Sequence, residues 1–248
     1  EAVPFTLLAG LTVTTMVADL LTGTQLLSSS HLGYDPIGGS RYYGIGNEYM
    51  GLLLGSVAVA AGGVFETAPA RWRRPLLWAV GLCFTGIVFL LASPTRGANV
   101  GGTISAVLGL GVVLILLAQD RLYLRHVVLL TALVVGVVGA AAAYDLLRLG
   151  PDTAHLGGAV QMVRAEGGDP LWRLFERKLE MNVRLIRLTV WSRAFFVSLL
   201  AALLFAFLRP QSVRRLLHAY PYMARALRGS LAGALVALAV NDSGIVAA

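Results

Sequence analysis

Charge is scarce in this chain of 248 residues: Asp, Glu, Lys and Arg together make up 13% of it, against ~25% in ordinary soluble domains. That shortage excludes a solvated globular enzyme, and the accompanying apolar richness excludes a disordered chain. Cysteine is nearly absent. The lone Cys83 rules out an intrachain disulfide, and its place inside an apolar run predicts a buried packing role. The 4 histidines form no His/Cys cluster of zinc-ligand spacing, so neither a metal centre nor a cofactor is expected. Acidic residues are fewer than basic ones, 13 against 20, for a net charge of +7. In a soluble protein that balance would suggest a polyanionic partner. Here 57% of residues are hydrophobic and the mean hydropathy is +0.74. The surplus of Lys and Arg is then better explained by cytoplasmic membrane loops, and no nucleic-acid partner is expected.

What is present is a series of long apolar runs. A bilayer core of ~30 Å needs roughly 20 apolar residues per helix. Seven candidate spans satisfy that: Pro4 to Leu21, Glu48 to Phe65, Pro75 to Ser93, Gly101 to Gln119, His126 to Leu147, Val190 to Leu208 and Gly229 to Ala248. Lipid cannot satisfy open backbone groups and the runs are too long for barrel strands, so the expected fold is all-α, a polytopic transmembrane helical bundle forming a single domain over residues 1–248. The glycine content, 28 residues, suits close helix packing in lipid. The chain opens at Glu1 without a methionine and closes at Ala248 within an apolar run, so it is expected to be part of a longer protein with a further domain or subunit.

The linkers set the expected sidedness. Arg71, Arg73, Arg74, Arg121, Arg125, Arg209, Arg214, Arg215, Arg225 and Arg228 fall in alternate linkers, whereas the opposite short linkers carry only Arg41 and Arg96. Positive residues concentrate on the cytoplasmic side. The N-terminus is therefore expected inside a bacterial cytoplasmic membrane, with residues 22–47, 94–100 and 148–189 outside. The last of these, an extracytoplasmic loop, breaks the charge rule with Arg148, Arg164, Arg173, Arg177, Lys178, Arg184 and Arg187. From Leu171 to Val190 its apolar residues Leu171, Leu174, Phe175, Leu179, Leu185 and Ile186 share one broad face, opposite Arg173, Glu176, Arg177, Glu180, Arg184 and Arg187. Asp169-Pro170 supplies a start signal, and the segment is expected to lie as an amphipathic helix at the outer interface.

Polar residues gather at the same expected outer side. Gly33 to Gly51 packs Asp35, Arg41, Asn47 and Glu48 among glycines at the mouth of span two. Ser93 to Gly102 carries Arg96 and Asn99 where the chain re-enters the membrane. Guanidinium donors beside free helix N–H groups make an anion seat. His155, in Pro151-Asp-Thr-Ala-His-Leu-Gly-Gly158, can serve as a general base near neutral pH, oriented by Asp152 or another carboxylate. Asn241-Asp-Ser-Gly244 interrupts span seven, and Asp19 ends span one. Each has a bland alternative: an interfacial Arg–Glu pair, a snorkelling arginine, a solvated loop histidine, a polar helix–helix contact. Their shared side nevertheless predicts an outward-facing polar cleft built from Asp19, Arg41, Asn47, Glu48, Arg96, Asn99, Asp152, His155 and Asp242.

Two of these segments resemble the O-antigen ligase and polymerase superfamily of envelope glycosyltransferases. Arg41-Tyr-Tyr-Gly-Ile-Gly-Asn47 is similar to that family's Arg-x-x-Gly-x-x-Asn pattern opening a span, and Ser93-Pro-Thr-Arg-Gly-Ala98 is similar to its Ser-Arg-Gly-Ala pattern. Similar Gly-x-Gly-Asn, Gly-Ala-Asn-Val-Gly-Gly and Thr-x-His-Leu-Gly segments also occur in large bacterial membrane proteins of uncharacterised role. The resemblance covers residues 40–190. It implies transfer of a glycan from a polyprenyl diphosphate carrier, with Arg41 and Arg96 holding the diphosphate and His155 activating the acceptor. This chain departs from the pattern where Pro94-Thr95 separates Ser93 from Arg96, in having fewer spans, and in placing His155 before the amphipathic segment. Three functions stay open on the residues alone. One is such a transferase, with membrane lipids and a polyprenyl-linked glycan as partners and Arg41, Asn47, Glu48, Arg96, Asn99 and Asp242 binding substrate. The second is a transporter or flippase for an anionic lipid or small ion, using Asp19, Glu48 and Asp242. The third is a non-catalytic membrane subunit.

Overall fold

The computed structural model describes residues 2–30, 44–93, 95–147, 176, 180, 183, 190–208, 210–241 and 244–248. The described residues contain no strand; they form α1 (Ala2–Thr22), α2 (Gln25–Ser29), α3 (Asn47–Thr67), α4 (Arg73–Ala92), α5 (Val100–Gln119), α6 (Leu124–Leu147), α7 (Val190–Leu208), α8 (Gln211–Ala219), α9 (Pro221–Val240) and α10 (Gly244–Ala247). Six helices, α1, α3, α4, α5, α6 and α9, are long and apolar enough to cross a membrane. The chain is a polytopic helical membrane protein. The expected span at 190–208 is present as the 19-residue helix α7, whose apolar stretch Ser192–Phe205 is shorter than the other six. The expected amphipathic helix at 171–190 lies outside the described residues, apart from isolated helical positions.

The seventh expected span is displaced. It runs from Pro221 to Val240 rather than from Gly229 to Ala248. Pro221 stands in the first turn, where a missing N–H costs nothing. At the far end Asn241 leaves the helical conformation and its Nδ2 bonds back to the Ala237 carbonyl at 3.0 Å. Arg225 and Arg228 therefore sit on the first turns of the helix and not in the preceding linker. Apolarity slid the boundary, because an apolar run resumes at Gly244 after Asn241-Asp242-Ser243 and reaches Ala248.

Helix α5 is the hub. Over its most apolar stretch it is 56% buried, whereas α6 is 6% buried and faces outward. Its largest interface is with α9. Gly229 and Gly233, one helical turn apart, let the two backbones meet: a Cβ on Gly109 would come within 2.7 Å of Gly233 Cα, and one on Gly229 within 2.5 Å of Val113 Cγ2. Small residues replace hydrophobic burial as the adhesive between helices in lipid. Helix α3 packs against both α1 and α9, and α4 against α5. The buried cluster threads these helices through Leu20, Met50, Leu53, Phe65, Leu91 and Val113. Cys83 corrects an expectation: it is exposed on the outward face of α4, not buried. In a membrane-spanning helix an apolar run is as well satisfied by lipid as by protein, so hydropathy does not tell the two apart.

Candidate functional site

Helix directions alternate, so the C-terminal ends of α1, α4 and α9 meet the N-terminal ends of α3 and α5. At this end Asp19, on the last turn of α1, is 3% exposed. Its Oδ1 accepts the Leu26 amide at 2.8 Å and its Oδ2 the Leu27 amide at 2.9 Å. These are first-turn amides of α2, so one helix's carboxylate caps another's start. The Tyr49 hydroxyl donates to Oδ2 at 3.3 Å, linking α1 to α3.

Asn99 performs the second join. It stands at the N-cap of α5, where Oδ1 accepts the Gly102 amide at 2.7 Å. Its Nδ2 donates to the Ile45 carbonyl at 3.1 Å and to Asn47 Oδ1 at 3.3 Å. The Ile45 amide in turn donates to the Gly97 carbonyl at 2.8 Å. Two glycine-rich segments far apart in sequence are thereby sewn together over the ends of α3 and α5. Gly44, at φ +80°, approaches so closely that a Cβ there would lie 2.5 Å from the Gly97 oxygen. Ala98 holds φ +48° without being glycine, a conformation costing roughly 1–2 kcal/mol, and is held by its amide bond to the Ser93 carbonyl at 2.9 Å.

Arg96 rises from this turn, exposed, with Nη1 donating to the Leu21 carbonyl at the end of α1. Glu48 lies in the first turn of α3. Asn241 closes the layer: 4% exposed, it donates to Ser105 Oγ on α5 at 3.4 Å. Beneath it, a cavity of about 90 Å³ lies between α3, α5, α9 and α10, lined by small residues including Gly51, Gly55, Ser105, Gly233 and Ala247.

Of the expected site residues, then, Asn47, Glu48, Arg96 and Asn99 come to one end of the bundle, with Asp19 beside them. Arg41, Asp152, His155 and Asp242 lie outside the described residues. The expected open cleft is corrected in one respect: Asp19 and Asn99 are buried and their polar atoms are taken up by backbone, Tyr49 and Asn47. Arg96 is the group the turn leaves in contact with solvent or headgroups. Tyr49 escaped sequence reading, because a tyrosine in a membrane helix looks like an interface anchor. Ser105 escaped it too, although Ser105 and Gly109 stand one turn apart in a small-residue pair.

The opposite end was read only as a positive-inside signal, and it too is built. Glu66 Oε2 accepts the Tyr222 amide at 2.8 Å and the Met223 amide at 3.1 Å, capping α9. The Arg73 and Arg225 guanidiniums stack on the Tyr222 ring at 4.7 and 4.8 Å. Asp120, in the left-handed C-cap of α5, pairs with Arg225 at 3.1 Å and Arg228 at 2.6 Å. The Arg228 hydrogen bond, helped by the charge of Arg225, holds the Asp120 carboxyl below its usual value despite slight burial. Among the described residues no group of His, Cys, Asp or Glu is arranged to hold a metal ion.

No family model matches the chain, and searches of curated proteins and of solved structures found no match.

Proposed function

We propose that this is a bacterial cytoplasmic-membrane glycan transferase that takes its donor from a polyprenyl diphosphate carrier at the outer face, with the N-terminus cytoplasmic. The observation that carries the reading is the docking of the Ile45–Asn47 segment onto the Arg96–Asn99 turn by reciprocal hydrogen bonds. That docking gathers the two segments whose sequences resemble the ligase and polymerase superfamily. It leaves Arg96 exposed at that end of the bundle, and Arg41 precedes Ile45 by four residues in the sequence.

The chemistry follows from charge. The acceptor hydroxyl attacks the anomeric carbon, the bond from that carbon to the diphosphate oxygen breaks, and the acceptor proton passes to His155. Negative charge grows on the leaving diphosphate, and guanidinium donors from Arg41 and Arg96 offset it. Asn47 and Asn99 are positioning residues in this scheme, since their polar atoms hold the loops. Asp19 weighs against the transport reading: its carboxylate already accepts three hydrogen bonds from α2 and α3.

The test is lipid mass spectrometry of the full chain purified in native-lipid particles. Polyprenyl phosphate or diphosphate should co-purify with the unaltered protein and be lost from Arg41→Ala/Arg96→Ala, while His155→Ala retains the lipid and loses transfer. Only bulk phospholipid in every sample would overturn the carrier site.

A further inference from the structure

Helix α8, Gln211–Ala219, joins α7 to α9 at the Asp120 end and was expected to be plain linker. Val213, Leu216, Leu217 and the following Tyr220 fall at i, i+3, i+4 and i+7, one apolar stripe. Arg214, Arg215, His218 and Gln211 occupy the other side. None of its residues is buried in the bundle, and Leu216 is 58% exposed. Such a short, strongly two-faced helix at the end of a span lies in the plane of the interface.

Its apolar stripe does not close against the bundle. It forms one wall of a groove of about 320 Å³, completed by Phe5 of α1, Val59 of α3 and Leu227 of α9. The size is that of ligand pockets, ~300–1,000 Å³. Every lining residue is apolar apart from the Tyr220 hydroxyl. Hydrocarbon is the occupant such a lining accepts at membrane depth.

Charge selects which hydrocarbon. From Arg209 to Arg228 the chain carries no Asp or Glu. Arg225 and Arg228 share the single carboxylate of Asp120, which offsets one of their two charges. Arg214 and Arg215, exposed on α8, make no ion pair among the described residues. Two uncompensated guanidiniums thus stand at headgroup level beside an apolar groove.

We infer that this groove, walled by α8, is a binding site for an anionic phospholipid, with an acyl chain against Phe5, Leu216, Leu217 and Leu227 and the headgroup phosphate facing Arg214 and Arg215. The inference stands apart from the transferase reading, which concerns the opposite end. Each arginine near an anionic headgroup contributes about 1 kcal/mol, so the pair favours an anionic over a zwitterionic lipid by roughly 30-fold at low salt.

The experiment is native mass spectrometry of the full chain in neutral detergent, titrated with dioleoyl phosphatidylglycerol or dioleoyl phosphatidylcholine. Phosphatidylglycerol should bind roughly 30-fold tighter, and Arg214→Gln/Arg215→Gln should bring the two lipids within about twofold. Both substitutions are on exposed side chains, so the fold is retained; circular dichroism checks that. Ala224→Trp, which fills the groove, should abolish retention of the lipid while leaving the arginines in place. Equal binding of the two lipids by the unaltered chain overturns the site, as does a preference that survives the double substitution. Displacement of phosphatidylglycerol by equimolar glycerol 3-phosphate would show a free-phosphate site instead, and dimerisation that Ala224→Trp abolishes would show a contact between copies.

Discussion

The two ends of the bundle use the same device in different surroundings. At one, Asp19 of α1 caps α2; at the other, Glu66 of α3 caps α9. Asp19 is 3% exposed and takes a third bond from Tyr49, whereas Glu66 is half-buried and its neighbour Asp120 stands in solvent with two arginines. A carboxylate removed from water has no alternative partner, so every lost bond counts in full. An exposed one exchanges its protein partner for water at little cost. The Asp19 end is therefore joined by buried hydrogen bonds between α1, α2 and α3. The Asp120 end is a wet, charge-rich collar suited to headgroups.

Substitutions should separate the two ends in order of burial. The largest loss is expected for Asp19→Ala, which strands the buried Leu27 amide, the part-buried Leu26 amide and the Tyr49 hydroxyl: about 3 kcal/mol of unfolding free energy, measured by denaturant titration in detergent. A loss below ~1 kcal/mol would show that water reaches Leu26 and Leu27 and that this end is not dry. Glu66→Ala should come second, at about 1–2 kcal/mol, the range for loss of a helix cap. Equal losses for the two would erase the distinction drawn here.

Asp120→Asn should be smallest, under ~0.5 kcal/mol, since exposed ion pairs contribute little, and the effect should fade in high salt. Its pH dependence carries a definite sign. The folded-state carboxyl is held below its ordinary value, by the Arg228 hydrogen bond first. The stabilisation is thus fully present above pH ~4 and lost as pH falls through the lowered folded value. Thermal melts of the unaltered chain and Asp120→Asn should therefore differ slightly at pH 7 and converge in acid.

Some of the candidate site was legible in advance. Gly46 next to Asn47, and Gly97 and Gly101 two residues either side of Asn99, marked two loops at one end of the bundle, because alternation of spans forces them to the same side. Their contact was not legible: that Asn99 Nδ2 would reach the Ile45 carbonyl depends on how α3 and α5 rotate and tilt against each other. Asp19 illustrates the same boundary. Its polarity in an apolar run announced a partner, but α2 is too short to be seen by periodicity, so the partner was hidden.

Composition alone determined the class. Long apolar runs must become helices in lipid, where backbone groups have no other partners. Tertiary structure decided which apolar faces meet protein and which meet lipid. Cys83 and Gly109 both lie in strongly apolar runs, yet Cys83 faces outward and Gly109 lies against Gly233. Hydropathy is the same toward a neighbouring helix as toward an acyl chain. Only the shape of the small-residue seams, read in three dimensions, distinguishes them.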